Sequence, residues 1–140
     1  MSLLETTKLV GIQFMQDAVA ASQTDVQLPI AEVAAGAGNA VDGVTMPFSG
    51  EIVAVTYNLT AAATAGTLSI GATVNGTEKT DTTQTVTTGV GAVKKVPREK
   101  VRFKAGDKLG VEITTSGTWD GTSSDLGVWV WALLNSGDIS

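Results

Sequence analysis

The sequence predicts an all-β fold, an antiparallel β-sandwich or barrel. Three observations carry that prediction. Runs rich in β-branched and aromatic residues follow one another from Glu51 to Leu134. Several of them alternate apolar and polar residues with the two-residue period of a half-buried strand. Turn signals separate them at short intervals, as in a sandwich or barrel rather than a βαβ protein. The 140 residues suffice for one domain.

Residues 1–7 read as a short N-terminal arm, and 8–140 as a single domain. Lys8 to Met15 fits a strand better than a helix, because Val10, Ile12 and Phe14 alternate and Gly11 weakens a helix. Residues 16–43 are rich in Ala, Gly and polar groups and have no strong period. Within them Val26-Gln27-Leu28-Pro29-Ile30 reads as an edge strand, since Pro29 has no N–H for a central ladder, and Gly36-Ala37-Gly38-Asn39 as loop. Glu51 to Leu59 is the first long strand, punctuated by Ser49-Gly50. In Thr67 to Val74, Leu68, Ile70, Ala72 and Val74 share one face, and Asn75-Gly76 supplies the positive φ angles of a tight hairpin turn. Thr77 to Thr88 is mostly threonine and reads as an exposed edge hairpin or loop. Lys100 to Lys104 predicts a strand with Val101 and Phe103 inward. Ala105-Gly106-Asp107 turns it into Lys108 to Thr114, where Leu109, Val111 and Ile113 alternate with Gly110 and Glu112.

The last strand, Leu126 to Leu134, is apolar on both faces. Val128, Val130 and Ala132 point one way, Trp129, Trp131 and Leu133 the other. One face fills the core; the other needs a cover, because soluble monomers seldom expose a contiguous apolar patch above a few hundred Å2. Fully burying two Trp side chains removes roughly 300–500 Å2 from water, on the order of 10 kcal/mol before ordering costs. The cover is the protein's own loops or first strand, a neighbouring subunit, or a ligand.

Absences narrow the function. Without Cys there is no disulfide framework, thiol nucleophile or Cys-ligated zinc. Without His there is no Ser-His-Asp triad and no imidazole ligand or base. No carboxylate pair stands out for acid–base work, so no enzyme is expected. A net charge of −5 is a poor footprint for phosphates. The cations Lys94, Lys95, Arg98, Lys100, Arg102, Lys104 and Lys108 cluster, but Phe103 is the only nearby aromatic and points inward, so no nucleic acid is expected. A solvated sheet edge or a basic contact with an acidic partner surface explains them better. No secretory signal or membrane span is legible, and Asn58-Leu59-Thr60 and Asn75-Gly76-Thr77 match the glycosylation pattern by chance. Asp107 reads as a turn residue. Asp120-Gly121-Thr122-Ser123-Ser124-Asp125 is a weak calcium candidate through Asp120 and Asp125; it lacks EF-hand spacing and the closing Glu, so no metal and no cofactor is expected.

The order of motifs resembles a compact jelly roll of tailed-phage structural proteins. Val44-Thr45-Met46-Pro47-Phe48-Ser49-Gly50-Glu51-Ile52-Val53 looks like its entry turn and first core strand, and Ala65-Gly66-Thr67-Leu68-Ser69-Ile70 through Val74-Asn75-Gly76-Thr77 like the next strand and hairpin. Phe103-Lys104-Ala105-Gly106-Asp107-Lys108-Leu109-Gly110-Val111 is similar to a recurrent hairpin of that family, and Asp125 to Trp131 to its closing strand. The likeness spans Val44 to Leu134; the N-terminal third departs from it. These tumour-necrosis-factor-like jelly rolls usually form trimers, and phage members of this size serve as head decoration, or cement, proteins. The resemblance implies a homotrimer closed through Trp129, Trp131 and Leu133. It implies contacts to a major capsid protein through the arm (Leu3 and Leu4) and through Lys94, Lys95 and Arg98. The expected location is the capsid surface of a virion, with the chain made in the host cytoplasm. The competing reading is a carbohydrate- or receptor-binding module of a tail fibre or spike that stacks sugars on Trp119, Trp129 or Trp131.

Overall fold

The structure, a computed structural model, describes residues 7–31 and 41–135. Two antiparallel sheets pack face to face as a sandwich of jelly-roll-like form. The first sheet runs in the order β1 (Thr7–Gln16), β11 (Leu126–Asn135), β4 (Gly50–Leu59), β8 (Gly91–Lys95), with β9 (Arg102–Phe103) also on β4. The second places β10 (Lys108–Thr115) beside β5 (Leu68–Val74). β2 (Val26–Gln27) and β3 (Val44–Thr45) flank β10; β6 (Thr77–Glu78) and β7 (Gln84–Val86) flank β5. The chain crosses between sheets from β1 to β2, from β3 to β4, from β4 to β5, from β7 to β8, from β9 to β10 and from β10 to β11.

Alternation decides what is buried. Leu68, Ile70 and Ala72 of β5 and Leu109, Val111 and Ile113 of β10 face Ile52 and Val55 of β4, Phe14 of β1, and Val128, Val130 and Ala132 of β11 across the core. These side chains are essentially inaccessible to water, and their burial is the main force holding the sheets together. At the hairpin after β5, Asn75 and Gly76 both adopt positive φ (53° and 82°), as a two-residue turn between twisted strands requires.

Several sequence expectations change in detail. The first strand starts at Thr7, which pairs with Asn135, and extends to Gln16 opposite Leu126. The strand expected over Lys100–Lys104 shrinks to Arg102–Phe103, because turns consume both its ends. Lys100 N–H donates to the Pro97 carbonyl, while Lys104 N–H donates to the Asp107 carboxylate and Lys104 carbonyl accepts from Asp107 N–H. Val101 and Phe103 are nonetheless buried as alternation predicts. Thr77–Thr88 forms no hairpin of its own: β6 and β7 both pair with β5, as one edge strand interrupted by a 3-10 turn at Thr80–Thr82, and one threonine is interior, since Thr82 Oγ1 accepts from Ala72 N–H and donates to the Lys79 carbonyl. The loop expected at Gly36–Asn39 lies outside the described residues.

The unpatterned stretch after β1 closes one end of the sandwich through side-chain bonds. Gln16 and Gln23 exchange reciprocal amide hydrogen bonds of 2.9 and 2.8 Å while buried. Thr115 Oγ1 accepts from Gln23 N–H and donates to the Ala20 carbonyl. Trp119, one of the alternative stacking rings of the competing sugar-binding reading, is a core residue: it is 3% exposed and its Nε1–H donates to the Val19 carbonyl at 3.2 Å.

Gly66 lets the facing loop pack against the backbone that carries that ring. Its φ is +80°, and a Cβ there would sit inside the backbone of Thr118 and Trp119. Gly76 has nearly the same φ but open space around it. Gly76→Ala is therefore expected to cost about 1–2 kcal/mol for left-handed strain alone. Gly66→Ala should add an overpacking cost of about 1–3 kcal/mol. Urea midpoints of the two variants separate the terms; equal losses would contradict the close packing at Gly66.

Candidate functional site

The outer face of the first sheet is the candidate site. Strand register aligns it in rows. Leu9 stands opposite Leu133, which pairs with Glu51; Gly11 stands opposite Trp131, which pairs with Ala54; Gln13 stands opposite Trp129, which pairs with Thr56. A β-bulge between Trp131 and Ala132 leaves Val53 as the extra residue on β4 and so keeps Glu51 and Leu133 on the outer face. On the far side of β4, Thr56 pairs with Val93 and Ala54 with Lys95. Leu9 and Val93 are 60% and 54% exposed, and Trp129, Trp131 and Leu133 are half-buried. The first strand thus flanks the final strand without covering its outward side chains.

The two tryptophans on this face are held differently. Trp131 lies over Gly11, whose missing side chain makes the space: a Cβ there would be 2.7 Å from the ring. Its Nε1–H donates to Thr56 Oγ1 at 2.9 Å, which pins the indole flat. Trp129 lies back over Gly127, where a Cβ would meet the ring at 3.0 Å. Around it opens a groove of about 280 Å3 lined by Gln13, Met15, Asn58, Thr60, Asp125 and Gly127.

At the opposite end of the face is a wider hollow of about 610 Å3, bordered by Glu51, Arg98, Arg102, Lys104, Leu133 and Asn135. Arg98 binds Glu51 with both Nε (2.9 Å) and Nη2 (3.3 Å), and Glu51 also accepts from Glu99 N–H. Arg102 pairs with Glu99 at 3.0 Å, and Lys108 with Asp42 at 3.2 Å. Two of the hollow's three bordering cations, Arg98 and Arg102, are thus held in ion pairs. Lys94 and Lys95 sit apart from it on β8, at the edge of the sheet. Lys94 is opposite Val55 and half-buried, an inward cation of the kind that blocks stray strand pairing. Of the expected partner contacts, Leu3 and Leu4 lie outside the described residues.

The two calcium candidates are engaged separately. Asp120 accepts from the backbone N–H groups of Thr64 and Ala65 and from the Thr64 hydroxyl, so it clamps a loop. Asp125 accepts from Ala18 N–H and stands beside Asp17. Among the described residues no group of three or more carboxylates is placed to hold a metal.

These contacts set the acid response. The Arg98 guanidinium holds the Glu51 carboxyl below its ordinary 4.5, and N–H and hydroxyl donors hold Asp107 and Asp120 below 3.8. Asp17 is raised by its hydrogen bond to Asp125, and Glu112 by burial and then by the charges of Asp25 and Glu78. A lowered carboxyl stabilises the fold above its ordinary value, and that contribution disappears as pH falls through the folded value. A raised one has the opposite sign: protonation on approach to the ordinary value from above relieves the folded state. Urea midpoints should hold or rise slightly from pH 7 toward 5, then fall below about 4. Glu112→Gln should raise the midpoint at pH 7, and Glu51→Gln should lower it there and flatten the acid loss; midpoints unmoved by either change would contradict the assignment.

No protein-family model matches the chain, and no curated protein matches it significantly. Among solved structures it is similar to the cyanophage Pam1 capsid asymmetric unit, with 12% identity and a TM-score of 0.40 over 91% of this chain and 84% of that one. It is also similar to turnip yellow mosaic virus, with 14% identity and a TM-score of 0.37 over 92% of this chain and 81% of that one. At such scores neither likeness bears on what this chain does.

Proposed function

We propose that this chain is a non-catalytic structural protein of a phage particle: a β-sandwich that forms a homotrimer and decorates the capsid. One observation carries the reading. The outer face of the first sheet places Leu9, Leu133 and Trp131 side by side, with Val93 beyond Thr56 on the same face, and no element among the described residues lies across them. Burying such a face against copies of itself removes apolar area from water at about 25 cal/mol per Å2, while the order of motifs from Val44 to Leu134 supplies the phage context. In the trimer, Trp131 and Leu133 lie centrally and Trp129 at the margin.

Lys95, exposed on β8, with Lys94 and Arg98 nearby in sequence, and the arm with Leu3 and Leu4 are the contacts offered to a major capsid protein. Three sets of weak contacts held on one rigid trimer bind far more tightly than one set, through effective concentration. The test is to purify particles of the virus that encodes the chain and fractionate heads from tails. The chain is expected in the head fraction, and heads stripped of it should release DNA at lower temperature. Its absence from particles, or its recovery from tails alone, would overturn the assignment.

A further inference from the structure

We propose that the groove beside Trp129 is a binding site for a neutral pyranose, which stacks on the indole and hydrogen-bonds through its hydroxyls. The proposal goes beyond a structural role and stands without it. Three observations converge on the groove.

The first is the contrast among the three indoles. Trp119 Nε1–H is spent on Val19 and Trp131 Nε1–H on Thr56. Among the described residues Trp129 Nε1–H has no partner, and because no buried side-chain polar atom is left unsatisfied, it lies where water or a ligand reaches it. The second is the cradle. Gly127 lets the ring lie along the sheet instead of standing up from it, so one indole face turns outward. A sugar's C–H face packs on such a surface, since aromatic faces carry negative charge and C–H bonds are weakly positive.

The third is the rim. The side-chain amides of Gln13 and Asn58 border the ring from β1 and β4 and have no hydrogen-bond partner among the described residues. Each offers both a donor and an acceptor, the pairing a sugar hydroxyl needs. Thr60 and Asp125 complete the border. About 280 Å3 is below the roughly 300–1,000 Å3 of most small-molecule sites, which suits one sugar ring. The Asp125 carboxylate borders this end and Asp17 stands beside it, so an anionic sugar is repelled and the occupant is neutral.

A single ring in an open groove binds weakly, with a dissociation constant on the order of 1–10 mM. The test is titration of the full chain with methyl β-glucopyranoside, methyl β-galactopyranoside and glucuronate, read from the three indole N–H signals by NMR. One indole signal should move with at least one of the neutral glycosides; it should be the signal lost in Trp129→Ala, with glucuronate giving little shift. Asn58→Ala, which keeps the ring, should weaken binding about fivefold. No movement up to about 100 mM, equal response to glucuronate, or binding that survives Trp129→Ala would each overturn the proposal.

Discussion

Trp119→Ala is expected to cost about 3–5 kcal/mol, the range for truncating a buried large aromatic. Against a total stability of about 5–15 kcal/mol, that removes a large share of the folding free energy. The residue is 3% exposed; its ring lies over Gly121 and bonds the Val19 carbonyl, while its backbone packs on the loop at Gly66. Its removal leaves a cavity and deprives the Val19 carbonyl of a donor. Trp119→Phe isolates the second effect: most of the apolar volume stays while the N–H is lost, so about 1–3 kcal/mol is expected. Urea unfolding measures both. A change below about 1 kcal/mol for Trp119→Ala would mean that the ring is not the keystone of this end of the sandwich.

Trp131→Glu is expected to convert the proposed trimer into folded monomers. A carboxylate there would lie among Leu9, Leu133 and the flat strand surface at Gly11, where a second protomer would have to desolvate it. In the free protomer the same position is only half-buried, so the charge is solvated and the sandwich core, on the opposite face of β11, stays intact. Circular dichroism should be unchanged while the elution position moves to that of one chain. Trp131→Phe should keep the trimer. A trimer that persists with Glu at this position would place the interface elsewhere on the molecule.

How far the sequence reveals this arrangement depends on whether a residue's partners are local. The two faces of Leu126–Leu134 follow from alternation alone, and the structure buries Val128, Val130 and Ala132 while leaving Trp129, Trp131 and Leu133 on the outer face. The Asn75-Gly76 turn is equally local, because positive φ is a property of those two residues. The segment between Gln16 and Val26 is illegible for the opposite reason. Its order comes from bonds between residues 92 to 107 positions apart, such as Thr115 to Gln23 and Asp125 to Ala18, together with the buried Gln16–Gln23 pair. No periodicity encodes them.

The Trp129 groove falls in the same class. Gln13, Asn58, Asp125 and Trp129 come from distant parts of the chain, and only the registers of β1 and β4 on β11 bring them together. The available signal was Gly127 two residues before Trp129, a spacing that puts a bare patch of strand beside a large ring on one face. The different fates of the three tryptophans had no local signal, since each is decided by what its indole N–H meets.

The proposed trimer would close over an apolar sheet surface that no element among the described residues covers, and the molar mass in solution tests it most directly. Light scattering at neutral pH should report about 43 kDa, three chains of 14.3 kDa. A stable mass of 14.3 kDa across the accessible concentration range would contradict it.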